Sequence, residues 1–288
     1  MSQSEHRLAD TSGRFLKFVD GGTEVDDPKW SNGRLLLSNR RLILVGKGGK
    51  RTIPLATIDA LTGRVEVNGS VAGISNFTSL RMGEDVLLIT TKEHRAFELD
   101  LCTALLDEEQ VLVRHPAVEG GVVHEPEWEG ARVNLGDGET VNVATNEGSF
   151  VTVELDDVGK VEVAERTVKG ETREVVEIEH SDGGTSVETH LAGTSRTCSF
   201  MKVVFERGLE LNSGPVELDR NQKQVLMALY SGISPFEIPE FTGIDVEATE
   251  ETYERLVELD VLSEVRIRRE VELTPRGRNL ASRAMSDE

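Results

Sequence analysis

The residue patterns that usually mark catalytic sites do not occur in this sequence. The run Gly46–Thr52 superficially resembles a phosphate-binding loop, but it lacks the Walker spacing, and a strand rather than a helix is predicted to follow it. The serine-hydrolase pattern Gly-x-Ser-x-Gly is missing, and carboxylates are too frequent for any pair to be informative. The histidines show no mutual spacing typical of metal ligands: His6, His94, His115, His124, His180 and His190. We therefore predict a non-enzymatic protein with no cofactor and no bound metal.

The most specific binding chemistry is a group of arginines near the C-terminus. Its members are Arg266, Arg268, Arg269, Arg276 and Arg278, with Arg283 further along. A guanidinium group forms bidentate hydrogen bonds with carboxylates, and such contacts survive salt better than long-range attraction does. We predict that these five residues bind an acidic protein partner. Pairing with neighbouring glutamates on an ordinary surface explains the same residues and stays open at this point.

A second basic group lies in the N-terminal part of the chain. It consists of Arg34, Arg40, Arg41, Lys47, Lys50 and Arg51. Basic residues in this region hold lipid headgroups in some barrels of the pleckstrin-homology (PH) type, so a lipid-binding adaptor is one alternative. A solvated strand edge is the interpretation that we favour for these residues.

The overall charge restricts the partners of the protein. There are 52 acidic against 32 basic residues, only nine of them lysine, which gives a net charge of −20. This composition is typical of proteins that work in molar salt, where the Debye length is only about 3 Å. The alternative is an acidic protein from an organism that lives at ordinary salt concentrations. Such a surface repels DNA and anionic lipid. The chain lacks a membrane-length apolar run and a signal peptide, and its two cysteines cannot form a disulfide scaffold, so we expect a cytoplasmic protein.

The sequence repeats itself once. The runs Asp27–Ser38 and Glu125–Gly136 share Pro, Trp, Arg and Leu at one offset of 98 residues. They contain the two tryptophans of the chain, Trp30 and Trp128, so we predict a duplication in which these residues are equivalent. The match continues more loosely: Thr52–Ile58 parallels Thr152–Val158, and Val86–Ile89 parallels Val175–Ile178.

Each copy is predicted to contain about seven short strands and one closing helix. Glycine-rich hairpins are predicted at Gly46–Lys50 and Asp182–Gly184, and helices at Leu101–Val113 and Ser195–Leu209. The helix start carries Cys102 in one copy and Cys198 in the other, which favours buried rather than reactive thiols. This pattern indicates two tandem PH-like half-open barrels, over residues 1–115 and 116–212.

The remaining residues, 216–288, predict a winged-helix domain, so the fold class is α+β. Helices are expected at 219–230, from Ser234 to Gly243 and at 247–259, followed by a hairpin at 264–273 and a final helix. In most winged helices the third helix reads DNA. Here seven acidic residues face one arginine, Arg255, so no DNA binding is expected: Asp245, Glu247, Glu250, Glu251, Glu254, Glu258 and Asp260.

Three features resemble the archaeal taxis protein family CheF, in its haloarchaeal form. They are Ser4–Phe15 (SEHRLADTSGRF), Gly33–Leu42 (GRLLLSNRRL) and the winged-helix pattern at the C-terminus. The resemblance covers nearly the whole chain. It implies an adaptor in chemotaxis and phototaxis that links the phosphorylated response regulator CheY to the archaellum switch proteins, together with other taxis proteins. It carries no binding residues over to this chain and leaves room for a homodimer. A transcription regulator that uses the winged helix is the other alternative.

Overall fold

The computed structural model describes residues 4–62, 76–107, 109–136, 139–212, 218–259 and 261–262. The chain divides into two compact units, residues 1–214 and 215–288. The described residues of the first unit form two large antiparallel sheets and two helices, and the described part of the second is helical. A fold that mixes helices with antiparallel sheets is therefore confirmed. The PH-like and winged-helix architectures remain predictions.

The first sheet contains eight strands and is followed by one helix. These are β1 (Arg7–Asp20), β2 (Thr23–Glu24), β3 (Ser31–Ser38), β4 (Arg41–Gly46), β5 (Gly49–Pro54), β6 (Ala60–Thr62), β7 (Thr78–Met82), β8 (Asp85–Thr91) and α1 (His94–Leu106). Their order is β5-β4-β3-β1-β8-β7-β6, and β2 pairs with β1. The long strand β1 therefore lies at the centre of the sheet.

The second sheet repeats this arrangement strand for strand. Its elements are β9 (Glu109–Glu119), β10 (Val122–Val123), β11 (Glu129–Gly136), β12 (Thr140–Thr145), β13 (Phe150–Glu154), β14 (Val158–Val168), β15 (Glu171–Asp182), β16 (Thr185–Ala192) and α2 (Ser195–Asn212). The order is β13-β12-β11-β9-β16-β15-β14, and β10 pairs with β9. A short 3-10 turn follows β5 at Leu55–Thr57 and β13 at Leu155–Asp157.

This common topology confirms that Trp30 and Trp128 are equivalent, because each directly precedes the third strand of its own sheet. The parallel between Thr52–Ile58 and Thr152–Val158 is also correct, since both runs cover the end of the fifth strand and the 3-10 turn. The parallel between Val86–Ile89 and Val175–Ile178 is wrong. Val86–Ile89 lies on β8, whose counterpart is β16 and not β15.

The first predicted helix is displaced. Helix α1 spans His94–Leu106 rather than Leu101–Val113, because Val111 and Val113 belong to β9 and face the core with the two-residue period of a strand. A short run of apolar residues fits a helix stripe and a strand equally well, which explains the error. Strand β9 also runs through the predicted boundary between residues 115 and 116. The second helix and both glycine hairpins lie where they were predicted.

One hydrophobic core extends through both sheets and both helices of the first unit. Helix α2 packs on its own sheet and also on β6 of the first sheet. There the Ser199 hydroxyl accepts a hydrogen bond from the Leu61 amide and donates one to its carbonyl, both at 3.0 Å. Arg196 Nε donates to the Ile58 carbonyl at 2.8 Å. The two sheets are therefore joined by apolar packing and by hydrogen bonds.

The second unit contains α3 (Arg220–Tyr230), α4 (Ile238–Thr242) and α5 (Val246–Glu258). Asp219 caps α3 through a capping box with Gln222, as an N-terminal Asp favours. Helix α4 has its N-cap at Glu237 rather than at Ser234, three residues later than predicted, with Pro239 in its first turn. It ends at Gly243, whose φ of 73° is left-handed. A small core of Val225, Ala228, Ile238 and Leu256 holds the helices together. The predicted hairpin at 264–273 and the final helix lie outside the described residues.

No helix in the described ranges is both long enough and apolar enough to cross a bilayer.

Candidate partner-binding surfaces

The five arginines predicted to bind a partner, Arg266, Arg268, Arg269, Arg276 and Arg278, all lie outside the described residues. The structure does describe the acidic third helix of the same unit, α5, from which no DNA binding was expected. Five carboxylates along α5 are exposed: Glu247, Glu250, Glu251, Glu254 and Glu258. Its single arginine, Arg255, is already paired with Glu258 at 2.7 Å. This helix therefore presents an almost purely negative surface, which opposes contact with a phosphate backbone.

The same unit exposes several large apolar side chains that the sequence analysis did not single out. Their exposed fractions range from 65% to 94%: Met227, Tyr230, Phe236, Phe241 and Val246. Helix α3 shows why they are exposed. Val225 and Ala228 occupy its buried face, whereas Met227 and Tyr230 lie on a different face of the helix. An excess of apolar residues over one helix face was the available signal.

Phe236 is the most exposed of these side chains, at 94%. It lies in the turn before α4, where the Tyr253 hydroxyl of α5 donates a hydrogen bond to the Pro235 carbonyl at 2.7 Å. The backbone beside Phe236 is thus attached to α5. Exposed aromatic residues and methionine are enriched at protein–protein interfaces, so this unit has the composition of a docking surface.

Half of the basic group of the first sheet, Arg34, Arg41 and Arg51, is paired with carboxylates of the same sheet region. Arg34 forms a bidentate pair with Asp10, at 2.6 and 2.7 Å, and Arg41 forms one with Glu5, at 2.7 and 2.5 Å. The hydrogen bonds from Arg41 and from Ser38 lower the pKa of Glu5 to about 2. The Arg34 guanidinium lowers the pKa of Asp10 in the same way. These pairs favour the interpretation as a solvated strand surface over a lipid-headgroup site.

Both cysteines are buried, at 2% exposure each, which confirms that they are core residues. Burial raises the pKa of the Cys102 and Cys198 thiols, so neither is activated as a nucleophile. The predicted position near the start of the helix is correct for Cys198 but wrong for Cys102. Cys198 is the fourth residue of α2, but Cys102 is the ninth of α1, because that helix begins earlier than predicted.

Comparison with known proteins adds a family context to these surfaces. Residues 7–211 match the family described as Archaeal Chemotaxis signal transduction system protein F, and residues 217–286 match a domain of unknown function (DUF8579). The chain is 48% identical to Taxis protein CheF1 of Halobacterium salinarum over 291 residues, which cover 100% of both chains. Taxis protein CheF2 of the same organism is 23% identical over 281 residues, which cover 91% of this chain and 92% of that protein.

Proposed function

Because the chain belongs to the archaeal CheF family of taxis proteins and thus has a role in archaeal chemotaxis signalling, we propose that it is a non-enzymatic adaptor. In this proposal it binds the phosphorylated response regulator CheY and links it to the switch proteins of the archaellum motor. It works in the cytoplasm together with other taxis proteins.

The observation that carries the proposal is the surface of the second unit. A carboxylate-covered α5 next to exposed aromatic side chains fits a protein partner and opposes DNA. This favours an adaptor over a transcription regulator that would use the same three helices.

Charge also indicates which residues contact CheY. A response regulator has an acidic pocket at its phosphorylation site, and the phosphoryl group adds negative charge. The carboxylates of α5 repel such a pocket, so we assign the contact to the arginines Arg266, Arg268, Arg269, Arg276 and Arg278. In molar salt, where the Debye length is about 3 Å, contact hydrogen bonds of this kind persist while long-range repulsion between two acidic proteins is screened.

The test is calorimetry of the full chain with CheY, phosphorylated and unphosphorylated, in molar salt. Arg268→Glu combined with Arg278→Glu should weaken binding of phosphorylated CheY more than about tenfold, since loss of a buried interface pair costs roughly 2–5 kcal/mol. The matched control is Lys47→Glu with Lys50→Glu, which reverses two exposed charges on the first sheet and should leave the affinity unchanged.

Circular dichroism serves as the folding control for both double variants. If the folded C-terminal double variant binds phosphorylated CheY as the parent protein does, the contact is not made by these arginines. If the Lys47 and Lys50 variant alone loses binding, the CheY site lies on the first sheet.

A further inference from the structure

Two glutamates and a histidine converge on the outer face of the second sheet. Glu177 on β15 lies directly opposite His190 on β16, and Glu188 lies two residues before His190 on the same face. His190 Nε2 is 2.5 Å from Glu188 Oε1 and 3.9 Å from Glu177 Oε1. One ligating atom from each of the three residues lies within 4.8 Å of the others. Metal–ligand bonds of about 2.0–2.2 Å place ligand atoms roughly 3.0–3.5 Å apart. Around an ion, the hydrogen-bonded contact of His190 with Glu188 would lengthen and its distance to Glu177 would shorten, each by no more than about 1 Å.

The first sheet provides an internal reference for this cluster. Leu88 faces Leu16 across β8 and β1, while His190 faces Arg114 across β16 and β9. By the same registers, Val86 is the counterpart of Glu188, and Ser79 is the counterpart of Glu177. Positions that are apolar or neutral in one copy therefore carry ligating and charged side chains in the other. The fold itself does not require them.

These side chains are also costly to place where they are. Glu177 is 7% exposed and His190 14% exposed. A desolvated carboxylate is expensive unless it is neutralised. Arg166 does this in part, with Nε and Nη2 donating to the two Glu177 oxygens at 2.6 and 3.1 Å. Since each carboxylate oxygen has two lone pairs, this bond fixes the orientation of Glu177 without using its capacity to bind a cation.

Trp128 and Arg114 lie next to His190 on this face. The Trp128 ring lies 6.4 Å from the His190 ring and belongs to an apolar group with Val168, Val175 and Ala192. The Arg114 guanidinium stacks over Trp128 at 4.8 Å, and its Nε is buried with no hydrogen-bond partner in the described part of the chain.

We propose that Glu177, Glu188 and His190 bind one divalent transition-metal ion, of which Zn²⁺ is the type case. One imidazole nitrogen and two carboxylate oxygens suit Zn²⁺, Mn²⁺ or Co²⁺. With three protein ligands, a water would complete the coordination of the ion. The ion crosslinks β15 to β16 on the face where Val168, at the end of β14, covers Trp128.

The test is a titration of the full chain, freed of metal by a chelator, with Co²⁺ and Zn²⁺ in molar potassium nitrate. Co²⁺ absorption reports the coordination, and calorimetry gives the stoichiometry and affinity of Zn²⁺. We expect one equivalent to bind, and His190→Gln and Glu188→Gln each to weaken binding more than about tenfold. Because the Glu188 side chain is 30% exposed and that of His190 only 14%, Glu188→Gln should disturb folding less than His190→Gln.

The matched control is His124→Gln, which removes an exposed histidine located 3.8 Å from Glu119 and should leave the affinity unchanged. Mg²⁺ titrated alone measures binding to surface carboxylates. The proposal is overturned if the parent protein binds no stoichiometric ion. It is also overturned if folded His190→Gln and Glu188→Gln bind as the parent does. Either result leaves the cluster as a network of hydrogen bonds and ion pairs among Arg166, Glu177, Glu188 and His190.

Discussion

Removing the positive charge of Arg207 should destabilise the two-sheet unit by about 3 kcal/mol. Its side chain is 5% exposed, and its guanidinium lies 3.2 Å from Glu98 on α1 and 3.8 Å from Glu139 before β12. Loss of one partner from a buried ion pair costs about 3–5 kcal/mol, because the remaining charge stays desolvated. The lower end applies here, since Glu98 is 20% exposed and Glu139 38% exposed, so water relieves part of the penalty.

The informative substitution is Arg207→Met, because methionine keeps the packing of the arginine stem and removes only its charge and hydrogen bonds. Urea unfolding in molar salt should show the loss, since a buried pair is screened little by salt. Adding Glu98→Gln should restore part of the stability, with a coupling above about 1 kcal/mol. The matched control is Arg173→Met, whose pair with Glu171 is exposed and should be worth less than about 1 kcal/mol.

A small effect would refute this reasoning. If Arg207→Met costs less than about 1 kcal/mol and shows no coupling to Glu98→Gln, the pair behaves as a surface pair. The joint between α1 and α2 would then be held by apolar packing alone.

Two further predictions concern the second sheet and helix α2, which packs on it. Burial lowers the pKa of His115 and His180, which both contact the Thr189 hydroxyl. Their contribution to stability should therefore be complete above pH 6.5 and should fall as the pH drops below 6.5 toward the folded-state pKa. Urea unfolding on both sides of pH 6.5 should show this slope, and His180→Gln should reduce it. Gly208→Ala should destabilise the protein by about 1–3 kcal/mol, because the added Cβ would lie 2.3 Å from the Leu155 carbonyl oxygen. The control is Gly159→Ala, whose Cβ would meet no atom closer than 3.9 Å. Equal stability of the two variants would contradict this prediction.

The sequence predicted the repeat well because the repeat depends on rare residues at a constant offset. The central strand of each sheet, in contrast, could not be predicted from the sequence. Strand β1 has one fully buried residue, Leu16, among partly exposed neighbours, so it shows no clean alternation. The first five residues of β9, up to Val113, fit the predicted helix Leu101–Val113. A central strand is defined by the partners on both of its sides, and those contacts are not local.

The outer-face cluster could not be predicted for a related reason. Glu177 and His190 meet because β15 and β16 pair in one register, and a shift of one residue would place them on opposite faces. The sequence shows only a histidine thirteen residues after a glutamate, in a chain rich in glutamate. Register is set by the core-facing side chains and by the turn at Gly183 and Gly184, whose φ values of 56° and 83° require glycine.

The two copies diverge in a way that separates folding from function. Their inner faces stay apolar at matched positions: Leu35 and Leu37 correspond to Val133 and Leu135, and all four are buried.

Their outer faces differ in kind. Trp30 packs against Leu16, Phe77 and Leu88, whereas Trp128 lies beside Arg114 and His190. A duplicated sheet needs only one face to build the shared core, so the other face is free to change once the copies are joined. Selection for stability alone favours apolar residues there, as in the first copy, because buried charges rarely stabilise a fold. The charged residues of the second copy therefore mark the face on which a binding role is to be sought.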